Sequence, residues 1–161
     1  MLMPANVTTE QVWRELEKRS FAVLGFVTPR GQARTAGIVY AVRDRQLYIT
    51  TGRDSWKARH IATNPHVSLT VTIPKRIPFV PWVHIPAATI TFQGVASVHA
   101  IEEVPPEIPR VLLRGLDLGA EARNEISVIR VRPVGEFVTY GVGVSLPVMR
   151  RPEAAQGRAA V

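Results

Sequence analysis

Apolar and polar residues alternate over short runs along most of this chain, and turn residues separate the runs. Phe21-Ala22-Val23-Leu24-Gly25-Phe26-Val27 is too short and too β-branched for a helix, and Pro29-Arg30-Gly31 follows it as a turn. Residues 33–42 and 46–51 read as two further strands around the polar turn Arg43-Asp44-Arg45, and residues 67–73 resume the pattern. Thr89 to Ala100 reads as a long strand in which Gly94 marks a bulge or kink. Ile126 to Arg132 and Glu136 to Tyr140 form a final strand pair around Pro133-Val134-Gly135. Helical spacing occurs in three places. Thr8 and Gln11 make a capping box for a helix over 8–19, with Val12 and Leu16 four apart on its apolar face. A second helix over 54–63 stops before Asn64-Pro65, because proline disfavours helix in the residue before it. The third, near 106–114, starts at proline, carries Ile108, Val111 and Leu112 on one face, and ends at Gly115. Seven strands with little helix predict a mainly β protein, a closed or half-closed antiparallel barrel of six to seven strands.

One segment breaks the pattern. Pro74, Pro78, Pro81 and Pro86 sit among Phe79, Val80, Trp82 and Ile85, so residues 74–88 are neither a central strand nor a continuous helix. An apolar, irregular loop of this kind is expected to cover a pocket, join a subunit interface or touch a lipid-like ligand. At 161 residues the chain fits one domain. We expect residues 1–147 to form it and residues 148–161, with Arg150, Arg151 and Arg158, to be a mobile basic tail. No cysteine is present, which excludes disulfides and a thiol nucleophile. Glu10, Glu15 and Glu17 argue against a signal peptide, and no run of about 18 apolar residues suggests a membrane span. A cytoplasmic location is therefore expected.

Formal charge is +7, carried by 17 Arg and 3 Lys. The arginines are scattered, and the aromatics are not interleaved with them as on a base-stacking platform, so a small anionic ligand is expected rather than nucleic acid. The most informative stretch runs from Leu47 to Lys57. A strand ends in Thr50 and Thr51, turns at Gly52-Arg53, and gives way to a helix start at Asp54, Ser55 and Lys57. Free N–H groups and the positive dipole end at a helix start suit an anion. Three hydroxyls with Arg53 and Lys57 point to a phosphorylated cofactor. Trp56 and His60, four apart, are expected to pack on each other or on a neighbouring subunit. The four histidines show no metal-ligand spacing, so no metal is expected. Nucleophile-elbow and Walker motifs are absent from the sequence.

This ordered series resembles the pyridoxamine 5′-phosphate oxidase-like family of FMN-binding split β-barrels, which includes reductases using the deazaflavin F420. The resemblance rests on Leu24 to Val27, Gly31-Gln32, Leu47 to Thr51, Ser55-x-Lys57 and Asn64-Pro65-x-Val67-Ser68-Leu69. Ile90 to Ala96 and Ile129 to Pro133 through Tyr140-Gly141 match more loosely. It implies a six- to seven-stranded antiparallel split barrel that works as a homodimer with cofactor sites between subunits. It further implies a cofactor phosphate beside Ser55 and Lys57, with Thr50, Thr51 and Arg53 close by. The strand Thr35-Ala36-Gly37-Ile38 would line the ring edge, and Phe79 and Trp82 a substrate pocket. Three departures bear on activity. Ala36 and Ala41 stand where vitamin B6 oxidases have an Arg-x-x-x-x-Lys pattern, Trp56 replaces the arginine of Ser-Arg-Lys, and Gly141 to Ser145 replaces Arg-x-His. A phosphorylated substrate needs such charge-assisted donors, so pyridoxamine phosphate oxidation is not expected. The expected activity is hydride transfer between F420 or FMN and a small apolar substrate. The alternatives are a non-enzymatic carrier of flavin, F420 or haem on the same barrel, and a basic domain that associates with DNA or membranes.

Overall fold

The computed structural model describes residues 5–161. Helix α1 (Thr9–Glu17) opens on the expected capping box: Thr8 Oγ1 accepts from the Gln11 N–H at 3.2 Å, and Gln11 Oε1 accepts from the Thr8 N–H at 2.9 Å. Its apolar face, Val12, Trp13 and Leu16, closes one side of the barrel core. Trp13 meets Phe137 edge to face at 5.5 Å, and the buried Tyr40 hydroxyl donates to the Leu16 carbonyl at 2.8 Å.

Strands β1 (Phe21–Val27), β2 (Ala33–Arg43), β3 (Gln46–Gly52), β4 (His66–Ile73), β5 (Ala88–Ala100) and β6 (Ile126–Tyr140) are antiparallel neighbours in the order β3-β2-β1-β4-β5-β6. A β3–β6 ladder from Leu47↔Val131 to Gly52↔Ile126 closes them into a barrel. The predicted barrel is thus the observed one. Its interior is filled by the inward-facing residues of each strand, among them Leu24, Ile38, Ile49, Leu69, Ile90 and Ile129. A second, smaller core lies outside the barrel. There Ala41, Tyr48 and Val128 pack under Ile101 of a 3-10 turn, Val104 just after it, and Ile108 of α3 (Glu107–Leu112).

Two sequence expectations need correcting. Residues 126–140 form one strand, not a pair around Pro133-Val134-Gly135. Along one edge β6 pairs with β3 through Val131, and from Glu136 it pairs instead with β7 (Gln156–Ala160). Pro133, which has no N–H to donate, stands in the gap between those ladders. The extra residues beside it, with Gly135 at φ 78, are absorbed as a register shift against Phe92 of β5. Gly94 therefore sits near the irregularity rather than on it. Its own role is close approach, because a Cβ there would lie 2.5 Å from Val131 Cγ1.

The second correction concerns the stretch after Pro147. It is not a loose tail: α5 (Leu146–Met149) and α6 (Pro152–Ala155) bury Met149, Ala154 and Ala155, and β7 then joins the sheet. Thr9 Oγ1 donates to the Ala160 carbonyl at 2.7 Å, so the two ends of the described chain are tied together.

Candidate functional site

The strand β3 and helix α2 (Trp56–Thr63) meet at the turn the sequence singled out. Ser55 caps α2, its Oγ accepting from the Ala58 N–H at 3.2 Å while sharing a 2.8 Å hydrogen bond with Thr51 Oγ1. Both hydroxyls are thereby engaged in ending one element and starting the next. Thr51 is buried on the barrel side of β3, opposite Ser127, whereas Thr50 faces the outer side, opposite Val128. Successive strand residues point to opposite faces, so the two threonines do not converge on one ligand. Arg53 turns away as well. Its N–H donates to the Glu125 carbonyl at 2.7 Å and its Nη1 to the Asn124 carbonyl at 3.2 Å, at the end of α4 (Ala120–Asn124). With Asp54, Ser55 and Glu125 it borders a hollow of about 520 Å³ that contains two carboxylates.

The same alternation divides Thr35-Ala36-Gly37-Ile38. Ile38 is buried inside the barrel and Ala36 packs against that core, while Thr35 and Gly37 face outward. Phe79 and Trp82 enclose nothing within the chain, being 96% and 72% exposed.

What the structure does assemble is a cleft of about 590 Å³ between the β1–β2 hairpin and α2, lined by Thr28, Pro29, Arg30, Gln32, Arg34, Trp56 and His60. That volume is typical of small-molecule sites, about 300–1,000 Å³. The hairpin tip is held by the Thr28 N–H to the Gln32 carbonyl at 2.9 Å and by Gly31 at φ 77. Hairpin register sets Arg34 opposite Phe26. Phe26 in turn supports the far wall, its ring 5.1 Å from Trp56 and 6.1 Å from His60. Trp56 and His60 do pack on each other, at 6.0 Å. Lys57 is half-buried beside them, its Nζ 6.0 Å from the Trp56 ring centroid, at the outer limit of a cation–π contact.

The electrostatics of this cleft are one-sided. Arg30 and Arg34 are exposed, Arg34 donating to Gln32 Oε1 at 3.4 Å, and among the described residues no carboxylate lines the cleft. His60 Nδ1 is buried without a hydrogen-bond partner. Two guanidiniums and a flat aromatic wall fit a planar ligand with an acidic end. Arg30 and Arg34 were not singled out in the sequence, because only the strand register shows that they face α2. Among the described residues no three His, Asp or Glu side chains cluster as a metal site, and no helix is long and apolar enough to cross a membrane.

Residues 8–115 match the family profile described as pyridoxamine 5′-phosphate oxidase. No curated protein sequence matches the chain. Among solved structures, a haem-binding protein from Mycobacterium smegmatis superposes with a TM-score of 0.64 at 15% identity, over 98% of this chain and 60% of that one. HutZ, the haem storage protein of Vibrio cholerae, gives 0.59 at 16% identity over 85% and 98% of the two chains. An F420 reductase gives 0.54 at 19% identity over 77% and 94%. At these identities the likeness is one of fold.

Proposed function

Because the chain belongs to the pyridoxamine 5′-phosphate oxidase family, we propose that it is an oxidoreductase whose cleft between the β1–β2 hairpin and α2 holds F420 or FMN. The observation that carries this reading is the carboxylate-free lining with Arg30 and Arg34 on one side and Trp56 with His60 on the other. Bound there, such a cofactor supplies the hydride chemistry, and the protein supplies placement and electrostatics. Arg30 and Arg34 hold the acidic end, and Trp56, braced by Phe26, offers a flat apolar face to the ring. Thr35 and Gly37, on the opposite face of β2 from Arg34, stand outside this cleft, while Ser55, Thr51 and Arg53 serve the turn itself. The missing donors at Ala36, Ala41 and Trp56 speak against a vitamin B6 phosphate as substrate. Phe79 and Trp82 follow the end of β4 opposite the hairpin tip, so within one chain they do not line this cleft.

A homodimer belongs to this reading. The outer face of β1 and β2 carries exposed Phe21 and Val39 directly opposite each other, with Val23, Gly37 and Gly25 following along the same face. A second copy laid on that face would bury them and deepen the adjacent cleft.

A second reading, a haem carrier, is favoured by one observation: an imidazole, His60, lines the same cleft as the Arg30–Arg34 pair, and an arginine pair suits two carboxylates. Titration of the purified protein with FMN, F420 and haemin, followed by turnover of the reduced cofactor with apolar and polar acceptors, separates the two. Saturable F420 or FMN binding with acceptor-dependent reoxidation supports the enzyme. A Soret shift with haemin, abolished in His60→Ala and without turnover, supports the carrier.

A further inference from the structure

We propose that the loop between β4 and β5, residues 74–87, is a membrane-docking element that seats Phe79 and Trp82 in the interface of an anionic lipid bilayer. Phe79, Trp82 and Val83 project at 96%, 72% and 43% exposure, three large apolar side chains within one short tip. The tip is built to present them. Pro74, Pro78, Pro81 and Pro86 restrict its backbone, and two tight turns bring the Val80 N–H to the Ile77 carbonyl at 3.3 Å and the Val83 N–H to the Val80 carbonyl at 3.1 Å. Phe79 itself sits at φ 69, a left-handed conformation that bulky residues rarely adopt.

Charge identifies the occupant. No aspartate or glutamate occurs between Asp54 and Glu102, so the tip and the strands that carry it are free of carboxylates. Lys75 and Arg76 stand at the base of the loop. Lys75 Nζ donates to the Val144 carbonyl at 3.2 Å, which pins the loop to the segment bearing exposed Arg150 and Arg151. Glu153 is the one carboxylate in that segment. Among the described residues Arg76, Arg150 and Arg151 form no ion pair. An aromatic tip fringed with free cations complements the interfacial zone of a bilayer, where tryptophan rings settle and anionic headgroups attract basic side chains. Tip-to-tip pairing of two copies would instead bring the same cations face to face.

Cosedimentation with lipid vesicles tests the proposal without reference to any cofactor. The chain is expected to pellet with phosphatidylglycerol–phosphatidylcholine vesicles and far less with phosphatidylcholine alone. Binding should weaken as salt rises from about 0.1 to 1 M and the screening length falls from about 10 to 3 Å. A basic protein could bind anionic vesicles through charge alone, so the deciding variant is Phe79→Ser/Trp82→Ser, which keeps every charge. It is expected to keep its thermal melt, because both residues are exposed, and to lose at least ~10-fold in vesicle affinity. Bromine-labelled lipid should quench the emission of wild type, and this quenching should be lost in Trp82→Phe. The proposal is overturned if wild type stays in the supernatant, or if the double variant pellets as wild type does. It is equally overturned if light scattering shows the double variant dissociating a dimer whose wild-type form ignores vesicles, since the tip would then be a subunit contact.

Discussion

Replacing Arg30 and Arg34 together by glutamine removes both guanidiniums from the cleft while keeping a polar, hydrogen-bonding side chain at each position. Folding should hardly notice. Both side chains are exposed, and among the described residues the change breaks one hydrogen bond, the 3.4 Å approach of Arg34 to Gln32; surface changes of this kind fall within about 0.5 kcal/mol. Affinity for an acidic cofactor should respond strongly. A hydrogen bond to a charged group contributes about 1.5–3 kcal/mol, and solvent access to these arginines argues for the low end, so losing one from each costs about 3 kcal/mol. At about 1.4 kcal/mol per factor of ten, Kd for FMN or F420 rises roughly 150-fold. Fluorescence titration reads this directly. Riboflavin, which shares the ring and lacks the phosphate, serves as the internal control and should bind both proteins alike. The reasoning is refuted if FMN and F420 bind the double variant as tightly as wild type. It is refuted equally if riboflavin suffers the same loss, for the arginines would then shape the ring site rather than hold its acidic end.

Ser55→Ala should lower stability by about 1 kcal/mol through loss of the helix cap and leave cofactor affinity unchanged in the same titration, because the Ser55 hydroxyl is already engaged by Thr51 and Ala58. Gly94→Ala forces a methyl to 2.5 Å from Val131 Cγ1 and 3.1 Å from the Arg132 carbonyl; a loss of about 1–3 kcal/mol in urea unfolding is expected from overpacking. Burial pushes the Tyr40 phenol above its ordinary value, with Arg19 opposing in part. Its contribution is therefore full below the unfolded value of 10.0 and lost as pH rises beyond it. Tyr40→Phe should cost about 1 kcal/mol at neutral pH through the lost bond to Leu16 and flatten the decline in stability above about pH 10, which for one such group is up to about 1.4 kcal/mol per pH unit.

Much of the barrel was legible because most of its strands bury one face, so burial imposes the period of two that the sequence displays. β4 is the clearest case, with Val67, Leu69, Val71 and Ile73 inward. The break assigned at Pro133 was a true signal misread: it marks where β6 changes neighbours, which no local pattern reveals. β7 was invisible for another reason. Gln-Gly-Arg-Ala-Ala has little strand propensity, and its small residues are there to fit. A Cβ on Gly157 would meet Thr139 Oγ1 at 2.7 Å and Val7 Cγ2 at 2.9 Å. At the site, the start of α2 was placed correctly, and the Thr51 and Ser55 hydroxyls bond to each other and to the Ala58 N–H there, a local role that residue type alone does not separate from ligand binding. Trp56 and His60 were read as packing residues, and they are, yet the same rings wall the cleft. Arg30 and Arg34 became visible only through pairing across the hairpin.

The β3–β6 ladder has a consequence for biogenesis. β6 holds β3, β5 and β7 at once, and it is made in the last quarter of the chain. While the ribosome is still adding residues 53–125, β3 offers a bare hydrogen-bonding edge to any neighbouring nascent chain. Closure joins segments far apart in sequence, which slows it. Synthesis rate and chaperone cover over that interval therefore set how much protein reaches the closed state.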